Sequence, residues 1–276
     1  MPYYEKRTYS GKLLEMERYY ATDGGRPVGS TNTQISREEQ DKLNDVQSWR
    51  MLVRMINCNF SHEAGDMCVT LTFRRYMSRE AARKQYSQFL RKMRDIRKKR
   101  ELTALKYILI DEVQSGRQHA HIVISGGVSL EEMTAVWDQL GTVSASVLDG
   151  TNNYKELAAY LLKQHKARRG SQSDENAKGQ RKRNERRWTC SRNLEKPVVK
   201  KRKCRPVTIN TMPRAPKGYD LLPDFQRDAD RYGNMWIRWT CIRQDAREKG
   251  AMDYEVLRHD HRSAAARQKA AGQAVH

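Results

Sequence analysis

The segment that most constrains the fold runs from Leu105 to Ser125, LKYILIDEVQSGRQHAHIVIS. Its two apolar parts, residues 107–110 and 122–124, are rich in β-branched and aromatic side chains, which are typical of strands. The Ser115-Gly116 pair between them is typical of a tight turn. We therefore predict a β-hairpin.

A two-residue turn also sets the register of this hairpin. Glu112 then lies directly opposite His119, and His121 lies two residues further along the same strand. Because side chains alternate across a strand and opposed residues share a face, both histidines and Glu112 project from one face. A shift of one residue would turn Glu112 away and leave Asp111 as the third candidate.

Two imidazoles and one carboxylate form a three-ligand set with open positions, which is typical of catalytic rather than structural metal sites. We therefore predict that Glu112, His119 and His121 bind a divalent cation. A His-x-His pair alone is weak evidence, because short motifs often match by chance.

The charge of the chain predicts a polyanionic partner. Of the 276 residues, 31% are charged, and the formal net charge is +20. We favour nucleic acid over a membrane surface, because no long apolar run, basic amphipathic anchor or signal peptide is visible. Five cysteines without CxxC spacing indicate a reducing cytoplasm and no structural zinc.

The order of predicted elements favours an α+β fold. A capping box at Ser36 begins a helix that reaches to about Asn57. After it we predict a strand at 67–75, a helix from Ser78, the hairpin, a helix from Ser129 and a strand at 143–148. Strand, helix, strand, strand, helix, strand is the ferredoxin-like split βαβ arrangement, an antiparallel sheet with helices on one face and an open face for the metal site.

A further helix over residues 152–166 supplies a candidate nucleophile. Tyr160 and Lys163 are three residues apart and share a face, whereas Tyr154 points away. A phenol of pKa near ~10 is a poor nucleophile at neutral pH, so attack on a phosphodiester needs charge neutralisation. A divalent cation supplies it, and Lys163 can stabilise the phenolate or the developing phosphate charge.

Three motifs make the chain resemble a rolling-circle replication initiator of the HUH endonuclease superfamily, as encoded by single-stranded DNA phages, plasmids and small viruses. They are VTLTF at 69–73, HAHIVI at 119–124 with Glu112 upstream, and YLLK at 160–163. The resemblance covers about residues 67–166. It implies that Tyr160 nicks one strand at an origin, stays attached to the 5′ phosphate and leaves a 3′ hydroxyl for a host polymerase.

The resemblance also bears on cofactor and partners. Chemistry and resemblance together rank Mg²⁺ or Mn²⁺ first, although two imidazoles also accept Zn²⁺. Tyr154 and Tyr160 lack the spacing of a two-tyrosine site, so a single nucleophile is expected. No helicase domain is visible, so unwinding would depend on a host helicase or on supercoiling, in a bacterial cytoplasm.

The sequence predicts four regions: an irregular N-terminal arm (1–35), the endonuclease domain (36–166), a basic linker and DNA-binding segment (167–217) and a small C-terminal region (218–276). Residues 168–217 hold seventeen Lys or Arg against four Asp or Glu. Such a segment is typical of salt-sensitive phosphate binding, or alternatively of a disordered solubilising tail. We expect DNA contacts from Thr70, Thr72, Arg74, Arg75, Arg187, Trp188 and Arg192, with Trp188 stacking on an unpaired base.

Two other functions remain open at this point. A transposase or relaxase would use the same constellation of residues on a different DNA. A non-catalytic, basic nucleic-acid-binding protein would use His119, His121 and Tyr160 as structural residues. Covalent DNA attachment that depends on Tyr160 and on metal separates the enzymes from the binding protein.

Overall fold

The computed structural model describes residues 3–21, 36–114, 117–167, 187–205, 211–229 and 233–245. Within these ranges the chain is a mixed α+β protein with two antiparallel sheets and four α-helices. None of these helices is long and apolar enough to cross a membrane.

The strands and helices have the following bounds. The strands are β1 Tyr3–Ser10, β2 Leu13–Tyr20, β3 Met67–Phe73, β4 Tyr107–Gln114, β5 Arg117–Ile124, β6 Gly141–Val147, β7 Thr189–Cys190, β8 Val198–Cys204, β9 Tyr219–Leu221, β10 Gln226–Ala229 and β11 Met235–Arg243. The helices are α1 Arg37–Asn59, α2 Arg79–Lys99, α3 Leu130–Trp137 and α4 Lys155–Ala167.

The chain divides into two compact units. The helical unit comprises residues 34–148 and 154–197, and the strand unit comprises residues 1–33, 149–153 and 198–276. Each unit holds one of the sheets.

The sheet of the helical unit has the strand order β6-β3-β5-β4-β7, with every neighbouring pair antiparallel. The helices begin where the sequence predicts, because Ser36 and Ser129 each close a capping box with the glutamate three residues on. Ser78 caps α2 in the same way through its side-chain oxygen. The hairpin register is also confirmed, with Glu112 opposite His119.

Helices cover both faces of this sheet, so the expectation of one fully open face is wrong. On one face α2 and α3 bury Val69, Leu71 and Ile122. On the other face α1 and α4 pack over Ile108, Ile110 and Val123. The physical reason is that both strands of the hairpin are apolar on both faces at this end, so both faces need cover. The end of the second face that carries Glu112, His119 and His121, called the polar end below, lies outside that apolar cluster.

The strand unit holds a six-stranded sheet of order β10-β11-β2-β1-β8, with β9 also paired to β11. Its first two strands form a hairpin over residues 3–20, within the range expected to be an irregular arm. That expectation is wrong for these residues. The strand pattern was visible in the tyrosines near both ends and in Gly11, whose φ of +58° suits a tight turn.

The basic segment expected at 167–217 is divided between the two sheets. Residues 187–197 carry β7, which pairs with β4, and β8 then pairs with β1 as an edge strand. Residues 168–186, which include the expected flexible linker, lie outside the described residues. Strands β9, β10 and β11 lie in the range expected to be a small C-terminal region.

Candidate active site

The polar end of the second face carries all three predicted metal-binding residues. Strand alternation places His119 and His121 on that face, and the register adds Glu112. Glu112 and His121 are both buried, at 6% and 5% exposure, while His119 is half-buried. The sequence therefore determines this grouping through strand period and turn length alone.

Glu112 and His121 are in direct contact, with 3.1 Å between Glu112 Oε1 and His121 Nε2. Two atoms bound to one cation at about 2.1 Å and at right angles lie about 3.0 Å apart. The observed contact is a hydrogen bond, and its length is close to the spacing of two adjacent ligands of a small divalent cation.

Each histidine has a threonine hydroxyl of β3 within hydrogen-bonding distance of its Nδ1 atom. Thr70 Oγ1 lies 3.0 Å from His121 Nδ1, and Thr72 Oγ1 lies 2.9 Å from His119 Nδ1. A hydroxyl can donate or accept, so it fits either imidazole tautomer, including the one that leaves Nε2 as a metal ligand. These two threonines were expected to contact DNA, which stays a prediction, and in the structure their hydroxyls lie within hydrogen-bonding distance of the histidines.

Asp111, the alternative third ligand, lies on the opposite face of the sheet. Its Oδ2 accepts hydrogen bonds from Arg79 Nε and Arg83 Nε, both at 3.0 Å. Burial raises the pKa of Asp111, but the two guanidinium groups outweigh this effect and hold the pKa below its ordinary value. Asp111 is thus an ionised anchor for α2, and Glu112 is the carboxylate beside the histidines.

The donor types on this face fit a divalent cation. Two imidazoles and a carboxylate are ligands that Mn²⁺ and Zn²⁺ accept, and the carboxylate also suits Mg²⁺. Across the described residues, no group of three or more His, Cys, Asp or Glu side chains stands close enough together to hold a metal ion. His121 and Glu112 form the contact pair, and His119 lies on their face without completing such a group.

Tyr160 lies against this face. Its ring centroid is 5.8 Å from that of His121, with the two rings inclined at 70°. Helix α4 presents Tyr160 there because Ala158, Leu161 and Leu162 are buried in the cluster with α1 and fix the rotation of the helix. Tyr160 is 53% exposed, so its hydroxyl is accessible to a large substrate. Lys163 is in α4, and its side chain lies outside the described residues.

A basic and aromatic segment follows β3 at the same end of the sheet as Thr72. Arg74 and Arg75 are exposed, as predicted for DNA-binding residues, and Arg74 Nη2 also donates to the Asp138 carbonyl at 3.3 Å. Tyr76 is 80% exposed and was not among the predicted site residues. The run Arg-Arg-Tyr immediately after a strand was the sequence pattern that could have identified it.

The predicted DNA contacts after residue 186 are placed differently. Arg187 forms an ion pair with Asp45. Trp188 is half-buried and packs against the apolar cluster of α1 and α4, and its stacking on a base stays a prediction. Arg192 is exposed, beyond β7. The first two residues therefore have a packing role that the charge pattern did not indicate.

Comparison with known proteins gives a match to one protein family. The family described as replication-associated protein ORF2/G2P matches residues 66–166, which is less than half of the chain but includes Glu112, both histidines and Tyr160. The match supports a replication-initiator type of protein. No curated protein and no solved structure matches the chain.

Proposed function

We propose that this protein nicks and rejoins single-stranded DNA at a replication origin through a 5′-phosphotyrosine intermediate and so starts rolling-circle replication. The observation that carries the proposal is the approach of Tyr160 to His121, on the face that also holds Glu112 and His119. The replication-associated family match supports the biological setting.

The chemistry assigned to Tyr160 is a phosphoryl transfer. Its phenol oxygen forms a bond to the phosphorus as the bond from phosphorus to the 3′ oxygen breaks, and the phenol proton is transferred to the departing 3′ oxygen. The phosphodiester energy is conserved in the protein-DNA ester. The reverse attack by a 3′ hydroxyl therefore rejoins the strand and restores the phenol.

A divalent cation, Mg²⁺ or Mn²⁺ by preference, would be held by Glu112, His119 and His121 and would polarise and neutralise the scissile phosphate. The threonines behind the histidines keep the imidazoles oriented for this role. Lys163, one helical turn after Tyr160, is assigned to stabilise the phenolate.

The remaining assignments follow from the fold. Element order and strand order in the helical unit support the ferredoxin-like split βαβ arrangement as its framework. The exposed Arg74 and Arg75 are assigned to the DNA backbone, because they follow Thr72 at the end of β3. Host polymerase would extend the 3′ hydroxyl, and a host helicase would unwind the duplex.

The decisive experiment looks for the covalent intermediate. Purified protein is incubated with labelled single-stranded oligonucleotides that cover its own replicon, with Mn²⁺ or with a chelator, and run on a denaturing gel. We expect a shifted band that requires Mn²⁺ and is lost in Tyr160→Phe. Tyr76→Phe is the matched control, because it removes an exposed tyrosine hydroxyl from the same unit and should retain the band.

Two outcomes would contradict the proposal. Tight binding without any adduct, for every oligonucleotide and metal, would favour the non-catalytic binding protein. An adduct that persists in Tyr160→Phe would assign the nucleophile to another residue. A transposase or relaxase would also form the adduct, and the DNA sequence that is cleaved then identifies the substrate.

A further inference from the structure

The strand unit contains a buried carboxylate that is surrounded by arginines. Glu5 of β1 is 1% exposed and accepts hydrogen bonds from the Nε atoms of Arg7 at 2.9 Å, Arg18 at 2.9 Å and Arg202 at 3.0 Å. These arginines come from the three adjacent strands β1, β2 and β8. All three guanidinium groups are thereby held in fixed positions on one face of the sheet.

Glu5 carries the negative charge at the centre of this group. Burial raises the pKa of Glu5, but hydrogen bonds from Arg18, Arg7 and Arg202 outweigh it, and the pKa lies below its ordinary value. Glu5 is therefore ionised, and the four side chains together carry a formal charge of +2. Lys200, exposed on the same face of β8, adds a further positive charge.

The excess charge is confined to this face. Because directly opposed residues of an antiparallel sheet share a face, the strand pairing assigns every charged strand residue of the unit to one side. Among the described strand residues, the face of Glu5 has one carboxylate against six cations, namely Arg7, Arg18, Lys200, Arg202, Arg227 and Arg243, and Arg243 is paired with Asp245 just after β11. The other face has four of each sign: Lys6, Lys201, Lys203 and Arg238 against Glu15, Glu17, Asp220 and Asp228.

The register adds a like-charge contact on this face. Arg7 of β1 lies directly opposite Lys200 of β8. Like charges in directly opposed positions destabilise a sheet, and a bound anion would relieve the repulsion. The Arg202 side chain is 63% exposed at this edge, so an anion can reach it from solvent.

Aromatic side chains flank the cationic group. Tyr3 and Tyr9 lie on the same face of β1 and are half-buried, and Lys200 Nζ lies 5.6 Å from the centre of the Tyr9 ring. The centre of this face is covered, because Leu14, Met16, Ile237, Trp239 and Cys241 form a buried apolar cluster there, against which Tyr3 and Tyr9 pack. The accessible part is the edge at β8, where exposed cations suit the phosphates of an unpaired nucleic-acid strand.

We propose that the β8 edge of this face, formed by Lys200 and Arg202 beside Arg7, binds the phosphate backbone of single-stranded nucleic acid. The surface is separate from the candidate active site in the helical unit, and the proposal does not depend on the nicking reaction. Its affinity would be independent of sequence and would fall steeply with salt.

The test compares two double variants of the full chain that remove the same charge. Lys200→Ala with Arg202→Ala removes two cations from the proposed surface, and Arg91→Ala with Lys92→Ala removes two exposed cations from α2. Binding of a fluorescent thirty-nucleotide oligo-dT is titrated at several salt concentrations. Oligo-dT is not an origin sequence and its binding is measured without metal, which separates this proposal from the one on nicking.

We expect the Lys200/Arg202 variant to lose up to about 25-fold in affinity at 0.1 M salt, and the salt slope to fall by about 1.4, because each phosphate contact contributes about 0.7 to that slope. The α2 variant should keep the parent slope. Equal losses in both variants, or no loss at the proposed surface, would overturn the proposal, as would a loss seen only with duplex of the same length. Lys200→Ala alone, with an expected slope change of about 0.7, serves if the double variant does not fold.

Discussion

Replacement of Asp111 by Asn distinguishes the roles of the two carboxylates that are adjacent on β4. Asp111 is buried at 5% exposure and binds Arg79 and Arg83 of α2, whereas Glu112 contacts His121 on the opposite face. Asp111→Asn keeps the shape of the side chain but removes the charge that both guanidinium groups share. We therefore expect it to reduce stability and to leave metal binding in place.

The size of the stability loss depends on how deeply Arg79 and Arg83 are buried. Loss of one member of a fully buried ion pair costs about 3 to 5 kcal/mol. Here the Arg79 side chain is 17% exposed and that of Arg83 is 46% exposed, so water replaces part of the lost interaction. About 2 to 3 kcal/mol remains, in the range of charged hydrogen bonds. This corresponds to a fall in Tm of about 4 to 12 °C for a unit of this size.

The effect should depend on pH in a defined direction. The pKa of Asp111 is lowered in the folded protein, so its stabilisation is complete above its ordinary pKa of 3.8 and is lost as pH falls through the lower folded value. Thermal unfolding of the two proteins should therefore differ fully at pH 7 and converge in strong acid.

Glu112→Gln is the matched variant, because it removes the neighbouring charge from the other face. We expect little change in Tm without metal and a loss of Mn²⁺ binding measured by calorimetry. If Asp111→Asn abolished Mn²⁺ binding at an unchanged Tm, while Glu112→Gln did not, the assignment of the two carboxylates to their faces would be refuted.

Two further predictions test the surroundings of the site. Thr70→Val removes the hydroxyl beside His121 Nδ1 and should weaken Mn²⁺ binding by about 10- to 100-fold, whereas Thr70→Ser should retain the affinity. Calorimetry measures the affinities, and equal values for Thr70→Val and the parent protein would exclude an orienting role. Trp188→Ala should lower the free energy of unfolding by about 1 to 3 kcal/mol, since the ring is half-buried. It should leave the affinity for oligo-dT within about 2-fold of the parent value. A large loss of affinity at unchanged stability would instead support the base-stacking role.

Much of the candidate site was predictable because its geometry is local. The hairpin register depends on a two-residue connection and on the two-residue period of a strand, so Glu112 and both histidines could be assigned to one face without tertiary information. The helix starts were predictable for the same reason, because a capping box uses residues only three apart.

The packing partners of Thr70, Thr72 and Trp188 were not predictable, for a different physical reason. The sequence alone does not distinguish a threonine that lies beside a histidine from one that faces DNA. Only the pairing of β3 with β5 places Thr70 and Thr72 beside the imidazoles. Trp188 looked like a stacking residue because its neighbours in sequence are basic. Its packing depends on α1 and α4, which lie more than twenty residues before it in the chain.

By itself, the sequence determined the helix starts, the hairpin register and the basic character of this protein, since these depend on caps, turns and charge within short segments. The tertiary structure decided which of those elements meet. Packing of α4 beneath the sheet brings Tyr160 to His121, and pairing of β1 with β2 and β8 gathers three arginines around Glu5. Such contacts join residues far apart in the chain, where the gain from burial and pairing, rather than local preference, selects the partner.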